Sequence, residues 1–163
     1  MKKLNVLKAI VDLLWIFSMP IVIIIIGISI TVFFVDLGDL NIKMDSINFT
    51  NDTLLSKILL SVSALNYLLI ITALYFFRKV LHLFIRVKIF EETVIIYFKK
   101  TGNLLAISGI ISLLISFTSK IYFDHKVSLE FGLNQHLVII CLGLFFLTLS
   151  EIFKIAKNTK QEN

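Results

Sequence analysis

One proline, one cysteine, one tryptophan and six glycines in 163 residues leave little from which to build a flexible linker, a low-complexity tract or a disulfide framework. Cys141 has no second cysteine to pair with, and its place inside an apolar run reads as a small packing residue. Charge is also scarce, at 17% of residues against about 25% in an ordinary soluble domain. No Walker loop, Gly-rich dinucleotide fingerprint or nucleophile elbow occurs. His82, His125 and His136 do not have the spacing of a helical metal pair. Asp124, His125, Glu130 and His136 share one face of the expected topology, where solvation is the ordinary role of such loop residues. These absences point away from catalysis: the reading is no enzyme, no cofactor, no resident metal and no direct contact with nucleic acid.

What is present is oil. Hydrophobic residues make up 58% of the chain and the mean hydropathy is +0.94, more apolar than a water-soluble domain of this length can hide. Four apolar runs, at about residues 14–35, 58–77, 104–122 and 137–153, match or approach the roughly 20 helical residues that cross a bilayer core of about 30 Å. Ile and Val are frequent in them. Each run is nevertheless too long for a buried strand and lacks barrel-type alternation, so helices are predicted. The fold class expected is an all-α integral membrane protein, with residues 1–163 as a single membrane domain in the lipid bilayer. The first run follows Lys2, Lys3 and Lys8 but exceeds a signal peptide in length and lacks a small-x-small cleavage site, so it is expected to stay in the mature protein. Pro20 falls within that helix and Trp15 is placed to anchor at the membrane surface.

Basic residues set the predicted orientation. The amino-terminal segment, residues 78–103 and the carboxyl-terminal tail together hold twelve of the sixteen Lys and Arg, and the loops at about 36–57 and 119–136 hold four. Positive charge marks the cytoplasmic side, so both termini are expected inside. In the outer loops, Leu40, Ile42 and Met44 alternate with polar neighbours, as do Val127, Leu129 and Phe131. A small extracytoplasmic two-stranded β-ribbon joining the two loops is predicted. Between the second and third runs, Val80, Leu81, Phe84 and Val87 form one stripe and Phe90, Val94 and Phe98 another. These predict a cytoplasmic helical hairpin over about 78–103, turning near 88–90. A flat amphipathic helix on anionic lipid is the rival reading of the same mixture.

Within the spans, Ser108, Ser112 and Ser116 recur every four residues, as do Gly27 and Thr31, and small residues at that spacing serve close helix packing. Asn66 lies mid-membrane and needs a hydrogen-bond partner, most simply a serine of another helix. A faint internal echo aligns Phe76, Phe77 and Phe84 with Phe145, Phe146 and Phe153. The candidate partner-binding residues lie at the hairpin tip and in the basic tail: Arg86, Lys88, Phe90, Glu92, Lys154 and Lys157.

Four spans with both ends inside, the segment "KIFEETVIIYFKKTGNLLAISG" and the ending "LSEIFKIAKNTKQEN" resemble the bacterial membrane family known as domain of unknown function 2975. In that family a Phe followed by an acidic or amide residue opens the helix before span three, and a basic residue and a Gly precede the span. Phe90, Glu92, Lys100 and Gly102 stand at those positions, whereas the Pro and the capping Ser or Thr often found around that Phe are missing. The resemblance implies a multi-pass protein of the bacterial cytoplasmic membrane. It also implies regulation through a small helix-turn-helix partner, because such genes often neighbour the family. The leading expectation is therefore a non-enzymatic regulator or partner-binding protein, with a homo-oligomer compatible. The alternative is a small transporter or channel subunit.

Overall fold

The computed structural model describes residues 2–31, 34, 42–44, 47–49, 53–87, 89–123 and 134–162. In chain order these form α1 (Lys2–Thr31), β1 (Ile42–Met44), β2 (Ile47–Phe49), α2 (Leu54–Ile85), α3 (Glu92–Phe123) and α4 (Gln135–Glu162). All four helices are long and apolar enough to cross a membrane, by length and composition, as a multi-pass helical membrane protein requires. At about 1.5 Å per residue, the 32 residues of α2 and of α3 extend about 48 Å, well beyond an apolar core of about 30 Å. Both therefore carry their apolar stripes past the spans.

Each boundary has a local cause. Thr53 has extended backbone and its Oγ1 accepts the Ser56 N–H at 3.3 Å, an N-cap for α2. At the other end Val87 has a φ of 59° and its N–H bonds the Phe84 carbonyl at 3.1 Å, so a residue in the left-handed region stops the helix. α3 begins with Glu92 in its first turn and carries Lys120 in its last, both favourable to the helix dipole. It runs unbroken through Gly102.

The extensive helix interfaces are α1 with α2, α2 with α3, and α3 with α4. One end of the bundle holds the α2–α3 turn and the ends of the chain, because Lys8 meets His82 and Lys157 meets Glu92. The core sits towards this terminal end. Ala73, Val80, Val94, Phe98, Leu105 and Phe146 are buried there, with Phe77, Phe84 and Phe153 packed against them. Two of the three phenylalanine pairs of the sequence echo are in contact: Phe77 lies 5.0 Å from Phe146 and Phe84 lies 5.7 Å from Phe153, centroid to centroid.

α3 and α4 cross at backbone contact. A Cβ on Gly143 would stand 2.6 Å from the Ala106 nitrogen and 2.9 Å from the Gly102 carbonyl oxygen, and one on Gly109 would stand 3.0 Å from the Ile140 nitrogen. Lipid gives helices no hydrophobic reason to associate, so small residues that admit backbone approach do that work. The expected packing at Gly27 is corrected: nothing lies within 4 Å of where its Cβ would be. The reason is that α1 is peripheral, with only 6% of its most apolar window buried.

Two further expectations change. The periodicity puts Val87 on one stripe with Val80, Leu81 and Phe84, but it lies beyond the end of α2 and is 66% exposed. The strand expected in the first loop is present as β1, but its partner is β2, through the antiparallel pairs Ile42 with Phe49, Lys43 with Asn48 and Met44 with Ile47. The second strand of the expected ribbon, at 127–131, lies outside the described residues.

Candidate functional site

At the terminal end, α3 and α4 leave a groove of about 490 Å³ between them. Its floor includes Ile95 and Leu147, and its rim carries Glu92, Lys99, Glu151, Lys154 and Lys157. The walls are tied together directly: the Ser150 hydroxyl donates to the Ile95 carbonyl at 2.9 Å, and Lys157 Nζ donates to Glu92 Oε2 at 3.4 Å. Beneath the groove Phe98 stacks on Phe146 and Phe153 at 5.9 and 5.4 Å. A mixed-charge, apolar-floored groove is therefore held on a packed aromatic base.

The residues singled out from sequence are only partly gathered here. Glu92, Lys154 and Lys157 line the groove together, and Phe90 stands beside it, 6.4 Å from Phe153. Arg86 caps the end of α2 outside the groove lining. Lys88 lies outside the described residues. Lys99 and Glu151 are groove residues that sequence reasoning did not select. Their signal is helical spacing, three residues from Glu151 to Lys154 and four from Ile95 to Lys99, which only a known α3–α4 pairing converts into a shared surface.

A second assembly lies at the level where the helices leave the apolar runs. Arg78 Nε donates to Asp12 Oδ1, and the guanidinium lies 4.7 Å from the Trp15 ring centroid. Lys79 covers Tyr75 at 4.5 Å and Tyr97 at 5.5 Å, and Lys100 covers Phe76 at 5.0 Å. Aromatic rings topped by cations are the chemistry of a membrane interface, where one side of each ring is apolar and the other wet. This belt joins α1, α2 and α3 at one height and fixes α1 to the bundle by its first half.

Beyond the belt the first helix is less engaged, and a crevice of about 420 Å³ reaches residues of all four helices. Asn66 lines it at 5% exposure, and its Nδ2 donates to Ser112 Oγ on α3 at 2.9 Å. Ser108 is fully buried on the same helix and Ser116 is half-buried. Among the described residues, no group of three or more His, Cys, Asp or Glu is placed to hold a metal ion.

Compared with known proteins, the chain matches no protein-family model, no curated protein and no solved structure.

Proposed function

We propose that this is a non-enzymatic membrane protein that docks a cytoplasmic protein in the α3–α4 groove. The observation that carries the reading is the groove itself: charged rim, apolar floor, cross-helix hydrogen bond and a stacked aromatic base, all at the end that also bears both chain ends. Twelve of the sixteen Lys and Arg lie in the segments at that end, which supports a cytoplasmic orientation for it. In the same orientation the β1–β2 hairpin is extracytoplasmic. The motif resemblance favours a small helix-turn-helix regulator as the partner, kept at a bacterial inner membrane and so away from its DNA.

Photo-crosslinking from the groove tests this. With p-benzoylphenylalanine in place of Ile96, a groove residue, a small DNA-binding protein should be captured in the native host, and Lys154→Glu should abolish the adduct. The same probe at Leu113, on the exposed surface of α3, should not capture it. Identical adducts from both positions, or none from Ile96, would refute the docking reading.

A further inference from the structure

Three cations sit on the aromatic belt, and only one of them is neutralised. Arg78 has the Asp12 carboxylate, whereas Lys79 and Lys100 form no ion pair among the described residues. The helices that carry them explain why: α2 contains no Asp or Glu, and α3 contains only Glu92, at its start. Trp15, Tyr75, Phe76 and Tyr97 form a continuous row of rings, with neighbouring centroids 6.2, 5.6 and 5.8 Å apart. Lys79 Nζ lies over Tyr75 and Tyr97, and Lys100 Nζ lies over Phe76, the ring between those two in the row. Two like charges are thus held over adjoining rings with no carboxylate to offset their repulsion. The site is open: Lys100 is exposed, the Lys79 ammonium is unburied, and Tyr75, Phe76 and Tyr97 are half-buried. A ring face attracts a cation but carries no net charge, so an anion arriving here meets ammonium groups that the rings have already positioned.

The position selects the anion. With apolar runs at about residues 58–77 and 104–122, Lys79 and Lys100 stand two and four residues outside them. That is about 3–6 Å along a helix, the depth at which phospholipid headgroups begin. Towards the apolar run the surface loses its polarity. Two turns along the same face of α3, Ile107 is 50% exposed, and one turn from Phe76 along α2 the exposed Thr72 turns its hydroxyl back to the Leu68 carbonyl at 2.8 Å. Such a surface suits acyl chains. We infer that Lys79 and Lys100 together bind the phosphate of an anionic phospholipid, of the phosphatidylglycerol type, with its glycerol backbone against the Phe76 and Tyr97 rings and its chains along the α2–α3 surface. A phosphodiester offers several acceptor oxygens, so it can take hydrogen bonds from both ammonium groups at once. A zwitterionic lipid brings its own cation to the same place and is held less well. The site lies on α2 and α3 and is independent of the docking reading.

Native mass spectrometry of the full chain, released from micelles doped equally with dioleoylphosphatidylglycerol and dioleoylphosphatidylcholine, tests the inference. Phosphatidylglycerol should be retained in preference to phosphatidylcholine. Lys79→Gln combined with Lys100→Gln should weaken that retention about thirtyfold, and Lys79→Arg combined with Lys100→Arg should keep it. Lys2→Gln combined with Lys3→Gln removes the same charge from the exposed start of α1 and should leave it unchanged. Should the glutamine pair fail to fold, Lys100→Gln alone, at an exposed position, should cost about fivefold and decides the question in its place. Soluble glycerophosphoglycerol, which has the phosphate without the chains, should not compete. Equal loss from the Lys2 and Lys3 variant, equal retention of the two lipids, or displacement by glycerophosphoglycerol would overturn it.

Discussion

Arg78 on α2 grips α1 twice, donating from Nε to the Asp12 carboxylate and laying its guanidinium on the Trp15 ring. The two residues of the ion pair are half-buried, with side chains 34% and 27% exposed, so solvent screens part of the attraction. Removing Arg78 loses both interactions, and Arg78→Ala should destabilise the α1–α2 pairing by about 1–2 kcal/mol. Arg78→Lys restores charge without the planar fork and should recover only part of that. Thermal unfolding in detergent micelles, with Asp12→Ala completing a double-mutant cycle, reads the coupling; strictly additive losses would show that the pair contributes nothing.

Two glycines that look alike in sequence should behave oppositely. Gly143→Ala forces a methyl to 2.6 Å from the Ala106 backbone nitrogen, and overpacking of this kind costs about 1–3 kcal/mol. Gly27→Ala meets open space and should be neutral or slightly stabilising through helix propensity, by up to about 1 kcal/mol. Equal melting shifts for the two variants would contradict the α3–α4 crossing.

Val87 is a β-branched residue in the left-handed region, a conformation that costs a non-glycine residue about 1–2 kcal/mol. Glycine there removes that cost and adds about 0.5–1 kcal/mol of chain entropy, so Val87→Gly should stabilise by roughly 0.5–1 kcal/mol. Its side chain is exposed, so little packing is lost. A lowered melting temperature would mean that the valine side chain has a role outside the turn.

The spans and their overshoot were legible because lipid imposes a length on any crossing helix and because the apolar stripes of Val80, Leu81, Val94 and Phe98 continue past them. Asn66 was legible for a similar reason: an amide in lipid must find a partner, and the serine register on α3 offered one. The rotation of α1 was not legible, since it is apolar on every side and nothing in the periodicity separates a packed Gly27 from a lipid-facing one. Nor was the α3–α4 crossing, which depends on Gly102 and Ala106 meeting Gly143, and Gly109 meeting Ile140, across a separation that no local pattern encodes. Lys154 and Lys157 were picked out as a basic tail, whereas folding sets them opposite Glu92 and turns a basic patch into a mixed-charge groove. The positive φ at Val87 had no sequence signal either, because valine is the wrong residue for it.

Cytoplasmic docking requires the α3–α4 groove to face the cytoplasm. Single cysteines at Asn158, in the groove lining, and at Phe34, which is 85% exposed just after α1, placed in a Cys141→Ser background, can be labelled in intact spheroplasts with a membrane-impermeant maleimide. The predicted result is prompt labelling at position 34 and none at position 158 until the membrane is permeabilised. Labelling at 158 in intact spheroplasts, with 34 protected, would place the groove outside and contradict cytoplasmic docking altogether.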